Sequence, residues 1–401
     1  MIGQSTAEQR LRDAPWLTDP DLVALIEALD GREGRARVVG GLVRDTILDT
    51  PRARTDIDVA TELLPDAVMQ RARKAGFAVY PTGLAHGTVT VRHGGLTAEV
   101  TTLRRDVVTN GRHAVVEFGS DWAADAARRD FTLNALYAGL DGALFDPLGG
   151  LADCINGRVR FIGDPRKRIA EDGLRVYRFF RFSASHALEQ FDPEGLEACA
   201  EAVGRLDHLA AERIGSEMRR MLALPRISMA MRKMVQIGLL DLPADAIAAL
   251  QTYERQVASP TFQSRLALLL GTPAGDTLQA RWRLSNEEVT TGRLVLRAAD
   301  LIADLSLHEA VYRHLTVIAD ALDVASVRAG WGEAGKSAVR TRLLDVKLQP
   351  FPISGSDLVT LGMPPGRALG QLLHRLERRW IDSGFQLSRD DLLTEARNPR
   401  G

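Results

Sequence analysis

The chain of 401 residues has little cysteine, few aromatics and no dominant charge. Cys154 and Cys199 are its only cysteines. They form no Cys-x-x-Cys pair and no metal-ligand spacing, which excludes a disulfide scaffold or zinc ribbon and fits reduced thiols in a cytosol. Aromatic residues make up 5% of the chain, too few for broad base-stacking platforms. The 51 basic side chains face 52 acidic ones, a formal net charge of −1. A uniformly basic nucleic-acid binder is thereby excluded, although a basic strip balanced by acids elsewhere stays open. No charge-free apolar run approaches the roughly 18 residues of a membrane helix. The first twenty residues carry Glu8, Arg10, Arg12, Asp13 and Asp19 without an apolar core, unlike a secretory signal. These absences lead to the expectation of a cytoplasmic protein with no membrane partner.

What is present is an ordinary globular composition, 45% hydrophobic and 26% charged, with length for two or three domains. Residues 21–30 have helical periodicity. Arg37-Val38-Val39 reads as a short strand that stops at Gly40-Gly41. A helix from Leu42 to Leu48 follows, then a strand from Thr55 to Ala60 and a helix over 64–75. Three more strands are expected at Phe77 to Tyr80, Gly87 to Val91 and Leu96 to Leu103. From about Asp164 the texture changes to amphipathic stretches broken by Pro and Gly: 166–187, 194–205, 209–223, 228–238, 244–256 and 261–270. The expected fold class is α+β, an N-terminal mixed sheet followed by an all-helical remainder. Internal breaks are expected near Gly271 to Asp276 and Gln349 to Pro352.

Asp56 and Asp58 stand two apart in a strand, so their side chains share one face. Two adjacent carboxylates repel each other, and a divalent cation such as Mg²⁺ relieves that repulsion while taking substrate phosphate oxygens into its shell. A solvated strand face paired with Arg52 and Arg54 is the alternative. Gly40-Gly41, between a strand and a helix start, lets backbone approach a ligand and offers free N–H groups to an anion. A phosphate cradle beside a carboxylate pair describes a nucleotidyl-transfer site, where two metals activate the attacking hydroxyl and stabilise pyrophosphate. Glu99, between apolar Ala98 and Val100, points to the face opposite them and is the candidate third carboxylate.

Further along, the motifs become recognisable as an ordered set. Val39 to Asp45 with Thr55 to Thr61 resembles the first motif of the class II tRNA nucleotidyltransferase and poly(A) polymerase family, a branch of the polymerase-β-like nucleotidyltransferases. Ala127-Arg128-Arg129-Asp130-Phe131-Thr132-Leu133-Asn134 is similar to its second motif, and Asp146-Pro147-Leu148-Gly149-Gly150 to its link from head to neck. Glu171-Asp172-Gly173-Leu174-Arg175 resembles the base-selecting Glu-Asp-x-x-Arg motif, and Glu212 to Glu217 a fifth, structural one. Ile353 to Leu358 and Leu361 to Gly370 are similar to the family's end, so the resemblance spans roughly residues 20–400.

The resemblance implies a catalytic head (1–150) and helical neck (151–225), body (226–345) and tail (346–401), the tail binding tRNA. It implies Asp56 and Asp58 as ligands of two Mg²⁺ ions, with Gly40, Gly41, Arg44 and Asp45 near the triphosphate. Arg129, Asp130 and Asn134 would share a pocket with Asp172 and Arg175, binding the ribose or triphosphate and orienting that pair, and Arg128 and Arg178 would be phosphate contacts or structural ion pairs. The stretch Arg104 to Val116 would be a mobile loop. Asp172 and Arg175, three apart on one helix face, would read the base. A carboxylate only accepts and a guanidinium only donates, a match for the amino group and ring nitrogen of cytosine or adenine. Uracil and guanine present the reverse pattern and leave unpaired polar groups.

The window Arg158 to Arg181 holds eight basic residues against three acidic ones, a local excess of five. With Arg213, Arg219, Arg220, Arg226, Arg232 and Lys233, and with Arg375, Arg378 and Arg379, it offers a track for RNA phosphates or a set of solvated helix faces. The implied activity is template-independent CCA addition to tRNA from CTP and ATP, with no protein partner. The alternatives are a poly(A) polymerase, a partial CC- or A-adding enzyme, and an inactive RNA-binding relative. Tyr80 to Ala85 lacks the basic segment of poly(A) polymerases, and both aspartates are present. No His-Asp dipeptide occurs, so no added phosphohydrolase activity is expected.

Overall fold

Apolar and polar residues alternate along the strands, and that alternation decides which face of the sheet is covered. In the computed structural model, residues 3–50, 57–110 and 113–397 are described. The strands are β1 (Ala36–Val39), β2 (Ile57–Thr61), β3 (Ala78–Gly83), β4 (Thr88–His93) and β5 (Leu96–Thr102), then β6 (Arg104–Asn110), β7 (His113–Phe118), β8 (Tyr137–Ala138) and β9 (Leu144–Phe145). Seven of them form one sheet in the order β3-β4-β5-β2-β1-β8-β9. The β2–β5 pair is parallel and the others are antiparallel. Ile57, Val59, Ala98 and Val100 are buried on the covered face.

The chain divides into two compact units, residues 1–217 with 229–240, and residues 218–228 with 241–401. The first holds the sheet and α1 (Gln4–Arg12), α2 (Pro20–Ala28), α3 (Gly41–Leu48), α4 (Pro65–Lys74), α5 (Trp122–Ala127), α6 (Gly150–Ile155), α7 (Pro165–Glu171), α8 (Leu174–His186) and α9 (Pro193–Ala202). Three of these helices start at an Asp-Pro pair. Asp19, Asp164 and Asp192 each accept a first-turn amide, while proline takes the position that has no helical partner to lose. Val39, Ala60, Leu103, Ala126, Ala135, Tyr137 and Ile162 pack as one cluster, which Ala60 joins from the Asp58 face of β2. Phe131 and Phe161, paired by an isolated bridge, pack against Phe179 and Phe182 of α8.

The expected helix over 166–187 is in fact two. Asp172 lies between α7 and α8 at φ −150°, ψ 103°, and its carboxylate caps the amide of Leu174 at 3.1 Å. Gly173 permits close approach: a Cβ there would meet Leu206 at 2.7 Å. The segment Arg104 to Val116, expected as a loop, carries a two-stranded antiparallel hairpin, β6–β7. Helix α1, which the sequence reading did not contain, buries Ala7 and Leu11.

In the second unit, α10 (Ala211–Leu222) ends and α11 (Ser228–Gln236) begins, followed by α12 (Ala244–Gln256), α13 (Phe262–Leu270) and eight further helices up to Arg397 among the described residues. Arg265 is fully buried and donates to the carbonyls of Leu222, at 2.7 Å, and Pro225, at 2.8 Å, and to Glu254 at 3.0 Å. A separate core at the C-terminal end gathers Ile353, Leu358, Leu372, Leu376, Trp380 and Phe385.

Candidate active site

The β2–β5 register places Asp58 directly opposite Glu99. Both side chains are exposed, on the face away from buried Ala98 and Val100. Asp56 lies outside the described residues. Strand β1 ends at Gly40, which enters α3 at φ 72°, ψ −121°. A Cβ at Gly40 would lie 3.9 Å from Asp58 Oδ2, so the turn and the carboxylate are neighbours. Gly41 opens α3. A cleft of about 200 Å³ is lined by Asp58, Thr88, Thr101, Arg104, Arg128 and Arg129. Carboxylate oxygens on one wall and guanidiniums on another suit a hard cation and the phosphates it shares. Among the described residues no three potential ligands converge, and Asp56 is not among them.

Two arginines of the cleft are held from behind by a residue that the sequence reading missed. Asp125, 1% exposed, pairs with Arg128 at 2.6 Å and Arg129 at 3.1 Å, and accepts from the Tyr137 hydroxyl at 2.8 Å. Burial alone would raise this carboxyl, but the two guanidiniums and the Tyr137 hydroxyl outweigh it and hold it below the usual range. Its place on α5, three and four residues before the arginines that follow that helix, is a readable signal.

A second set of expected site residues forms a buried chain. Arg44 and Asp45 are turned inward: Arg44 donates to Asp45 at 2.8 Å and to Asn134 at 2.5 Å. Asn134 donates to Asp130 at 3.1 Å, and Arg178 pairs with Asp130 at 2.6 Å and Glu217 at 3.4 Å. Burial would raise Asp130, yet the Arg178 charge with the Asn134 and Phe131 N–H groups brings it down to about 2. His186 Nε2 lies 3.4 Å from Asp45 Oδ1. Burial pushes His186 down, and this contact with Arg44 outweighs burial to lower Asp45.

Asp172 and Arg175 do not share a helix face, because the break between α7 and α8 separates them. Asp172 accepts from Arg213 at 2.8 Å. Arg175 donates to Glu171 at 2.7 Å, to the carbonyl of Arg168 at 2.8 Å and to that of Arg128 at 3.3 Å. These contacts use three of its five N–H groups.

The basic window is also corrected. Seven of its eight cations pair with acids: Arg158 with Asp192, Arg160 with Asp153, Arg166 with Glu197 and Glu201, Arg168 and Arg175 with Glu171, Arg178 with Asp130, and Arg181 with Glu217. Most partners lie outside the window, so a local count overstates free charge. In the second cluster Arg213 pairs with Asp172 and Arg219 with Glu288, while Arg220, Arg226, Arg375 and Arg378 are exposed.

A mixed sheet with carboxylates on one face, a glycine turn entering a helix and arginines across the cleft defines a nucleotidyltransferase head. Residues 36–160 match the family described as Poly A polymerase head domain. Residues 190–243 match the one described as probable RNA and SrmB-binding site of polymerase A. The chain is 34% identical to the mitochondrial CCA tRNA nucleotidyltransferase 1 of Danio rerio, over 97% of this chain and 93% of that protein. It is 31% identical to the CCA-adding enzyme of Lactobacillus helveticus, over 91% and 94%. The crystal structure of the Bacillus stearothermophilus CCA-adding enzyme in complex with CTP is similar at a TM-score of 0.78 and 25% identity, over 95% of this chain and 98% of that one. The chain belongs to the CCA-adding tRNA nucleotidyltransferase family. Divalent-metal dependence is general in nucleotidyltransferases of this kind. No helix among the described residues is long and apolar enough to cross a membrane.

Proposed function

We propose that the chain builds or repairs the CCA end of tRNA, adding two C and one A from CTP and ATP without a template. The observation that carries this reading is Asp58 in an arginine-lined cleft, beside Gly40 and in register with Glu99. Asp56 and Asp58 would hold two Mg²⁺ ions, with Glu99 as the neighbouring carboxylate; when bound, the ions would supply Lewis-acid activation of the tRNA 3′ hydroxyl and charge neutralisation on pyrophosphate. The hydroxyl releases its proton to solvent and its oxygen bonds to the α-phosphorus as the bond from that phosphorus to the β-bridging oxygen breaks, so that pyrophosphate leaves. Gly40 and Gly41 allow the triphosphate to approach the start of α3. Arg129 faces the phosphates, with Arg128 beside it, and Asp125 keeps both from swinging away. Arg44, Asp45, Asp130, Asn134 and Arg178 form one buried hydrogen-bonded chain that would support the nucleotide pocket.

Base choice falls to Asp172 and Arg175, presented from the break between α7 and α8. Asp172 accepts the amino hydrogen of cytosine or adenine, and Arg175 donates its remaining N–H groups to the ring nitrogen. The division into head, neck, body and tail at residues 150, 225 and 345 goes with this proposal. So does a cytoplasmic location, suggested by two buried free cysteines; a tagged protein concentrated in another compartment would overturn it.

The test is incubation of tRNA ending before CCA with CTP, ATP or both. Two C followed by one A supports the proposal. Long A tails on unstructured RNA would replace it with a poly(A) polymerase, and addition that stops at CC or adds only A with a partial enzyme.

A further inference from the structure

We infer that Arg168 is a specificity-determining positioning residue, tying the base-reading segment to the phosphate-facing arginine pair so that both are set together. The inference rests on the function proposed above. Arg168 is 8% exposed and lies in the last turn of α7. Its Nη2 donates to the carbonyl of Arg129 at 2.5 Å and to that of Arg128, 40 positions away in sequence. Its Nη1 donates to Glu171. Its own carbonyl accepts from Arg175 Nη1 at 2.8 Å.

Arg175 uses the same two anchors, Glu171 Oε2 at 2.7 Å and the Arg128 carbonyl at 3.3 Å. One guanidinium therefore fixes the backbone of the two arginines that line the cleft and also the carboxylate that aims the base reader. If the Arg128–Arg129 backbone shifts, both the phosphate contacts and Arg175 shift with it. Arg166, two positions earlier on α7, makes a contrast: it pairs with Glu197 and Glu201 on the surface and touches neither anchor.

A planar fork spans acceptors on two sides, whereas an ammonium presents one compact point, so lysine keeps the charge and loses the bridge. Selecting a base by hydrogen-bond pattern depends on holding donors and acceptors in place, since the penalty for a wrong base comes from groups left unpaired. A loosened Arg175 accommodates uracil better and cytosine worse. A residue that only supports folding lowers stability or overall rate, and leaves the ratio between nucleotides untouched.

The experiment measures kcat and KM for CTP, ATP and UTP on tRNA ending before CCA, for the natural chain, Arg168→Lys and Arg166→Ala, with a thermal melt of each. Addition of C, C and A by the natural chain tests the functional proposal by itself, separately from Arg168. Given that activity, Arg168→Lys is expected to lower the CTP-over-UTP ratio of kcat/KM by about tenfold or more and to raise the triphosphate KM, with Arg166→Ala unchanged. An unchanged ratio in Arg168→Lys, whatever its rate, overturns the inference. Where Arg168→Lys does not fold, Glu171→Gln decides: it weakens the same bridge at constant size by turning charge-assisted bonds into neutral ones, a fall of the same sign is expected, and an unchanged ratio again overturns it.

Discussion

Replacing Gly40 by Ala separates backbone shape from room as the reason for glycine in the cradle. Gly40 sits at φ 72°, ψ −121°, which L-residues rarely adopt. Its amide donates to the Leu136 carbonyl at 3.0 Å, and its carbonyl accepts from Arg44 at 3.0 Å, so the turn is fixed at both ends. Room is no obstacle, because a methyl group would lie 3.6 Å from the Asn134 carbonyl oxygen and 3.9 Å from Asp58 Oδ2, ordinary contacts. The cost is in the backbone, about 1–3 kcal/mol for a non-glycine residue held there. It can emerge in two ways. If both hydrogen bonds hold, the folded state keeps the strain and its opening free energy falls by that amount. If the turn relaxes, Asp58 and the first turn of α3 lose their common geometry, and kcat/KM falls by the equivalent factor, roughly 5- to 150-fold. Hydrogen exchange of β1 and β2 amides reads the first loss, and steady-state incorporation with CTP and with ATP reads the second. The two losses together should fall within about 1–3 kcal/mol. Two losses each below about 0.5 kcal/mol would refute the strain argument.

Asp58→Ala should abolish incorporation while tRNA binding is retained; persistent incorporation would remove Asp58 from the metal set. Asp130 titrates at about 2 in the folded chain against about 3.9 unfolded, so it contributes roughly 2–3 kcal/mol above pH ~4 that is lost as pH falls toward ~2. The stability gap between the natural chain and Asp130→Asn should therefore close over that window, and a gap independent of pH would contradict the pairing with Arg178. Arg265→Ala should cost the second unit about 3–5 kcal/mol, because Glu254 and the carbonyls of Leu222 and Pro225 lose a fully buried partner; unchanged exchange protection of α13 would refute this. Leu188 is 81% exposed at φ 47°, so Leu188→Gly should raise stability by about 0.5–1 kcal/mol, the left-handed penalty less the extra chain entropy of glycine. A lower melting temperature would count against it.

Elements whose cause is local could be read from the sequence. The alternation in β2 and β5 and the Asp-Pro starts of α2, α7 and α9 are such cases, each a matter of neighbours within four positions. The helix break was hidden because α7 and α8 both bury an apolar face, and the period runs through Asp172-Gly173 even though the backbone does not. Helix α1 was hidden for the opposite reason: two buried residues in nine carry too little pattern. At the site, Gly40, Asp58 and Glu99 were legible because their chemistry resides in their own side chains or lack of one. Tyr137, His186 and Arg168 were not, since each acts through partners far away in sequence, such as Asp45, 141 positions from His186. Asp125 was within reach and was passed over.

The same distinction settles what the net charge of −1 means. The arginines around the break between α7 and α8 are neutralised one by one, several by buried acids: Asp130, Asp192 and Glu217 are each less than 10% exposed. A buried carboxylate bonded to a guanidinium fixes the direction of that guanidinium and cancels its long-range field. Those arginines thus serve geometry at short range, which is what the base choice proposed above requires. Long-range attraction of an RNA backbone has to come from cations left exposed, such as Lys167, Arg220, Arg226, Arg375 and Arg378. A near-neutral chain can accordingly belong to a family of RNA-modifying enzymes without a basic composition, because the arginines clustered around the break between α7 and α8 are committed to short-range pairs.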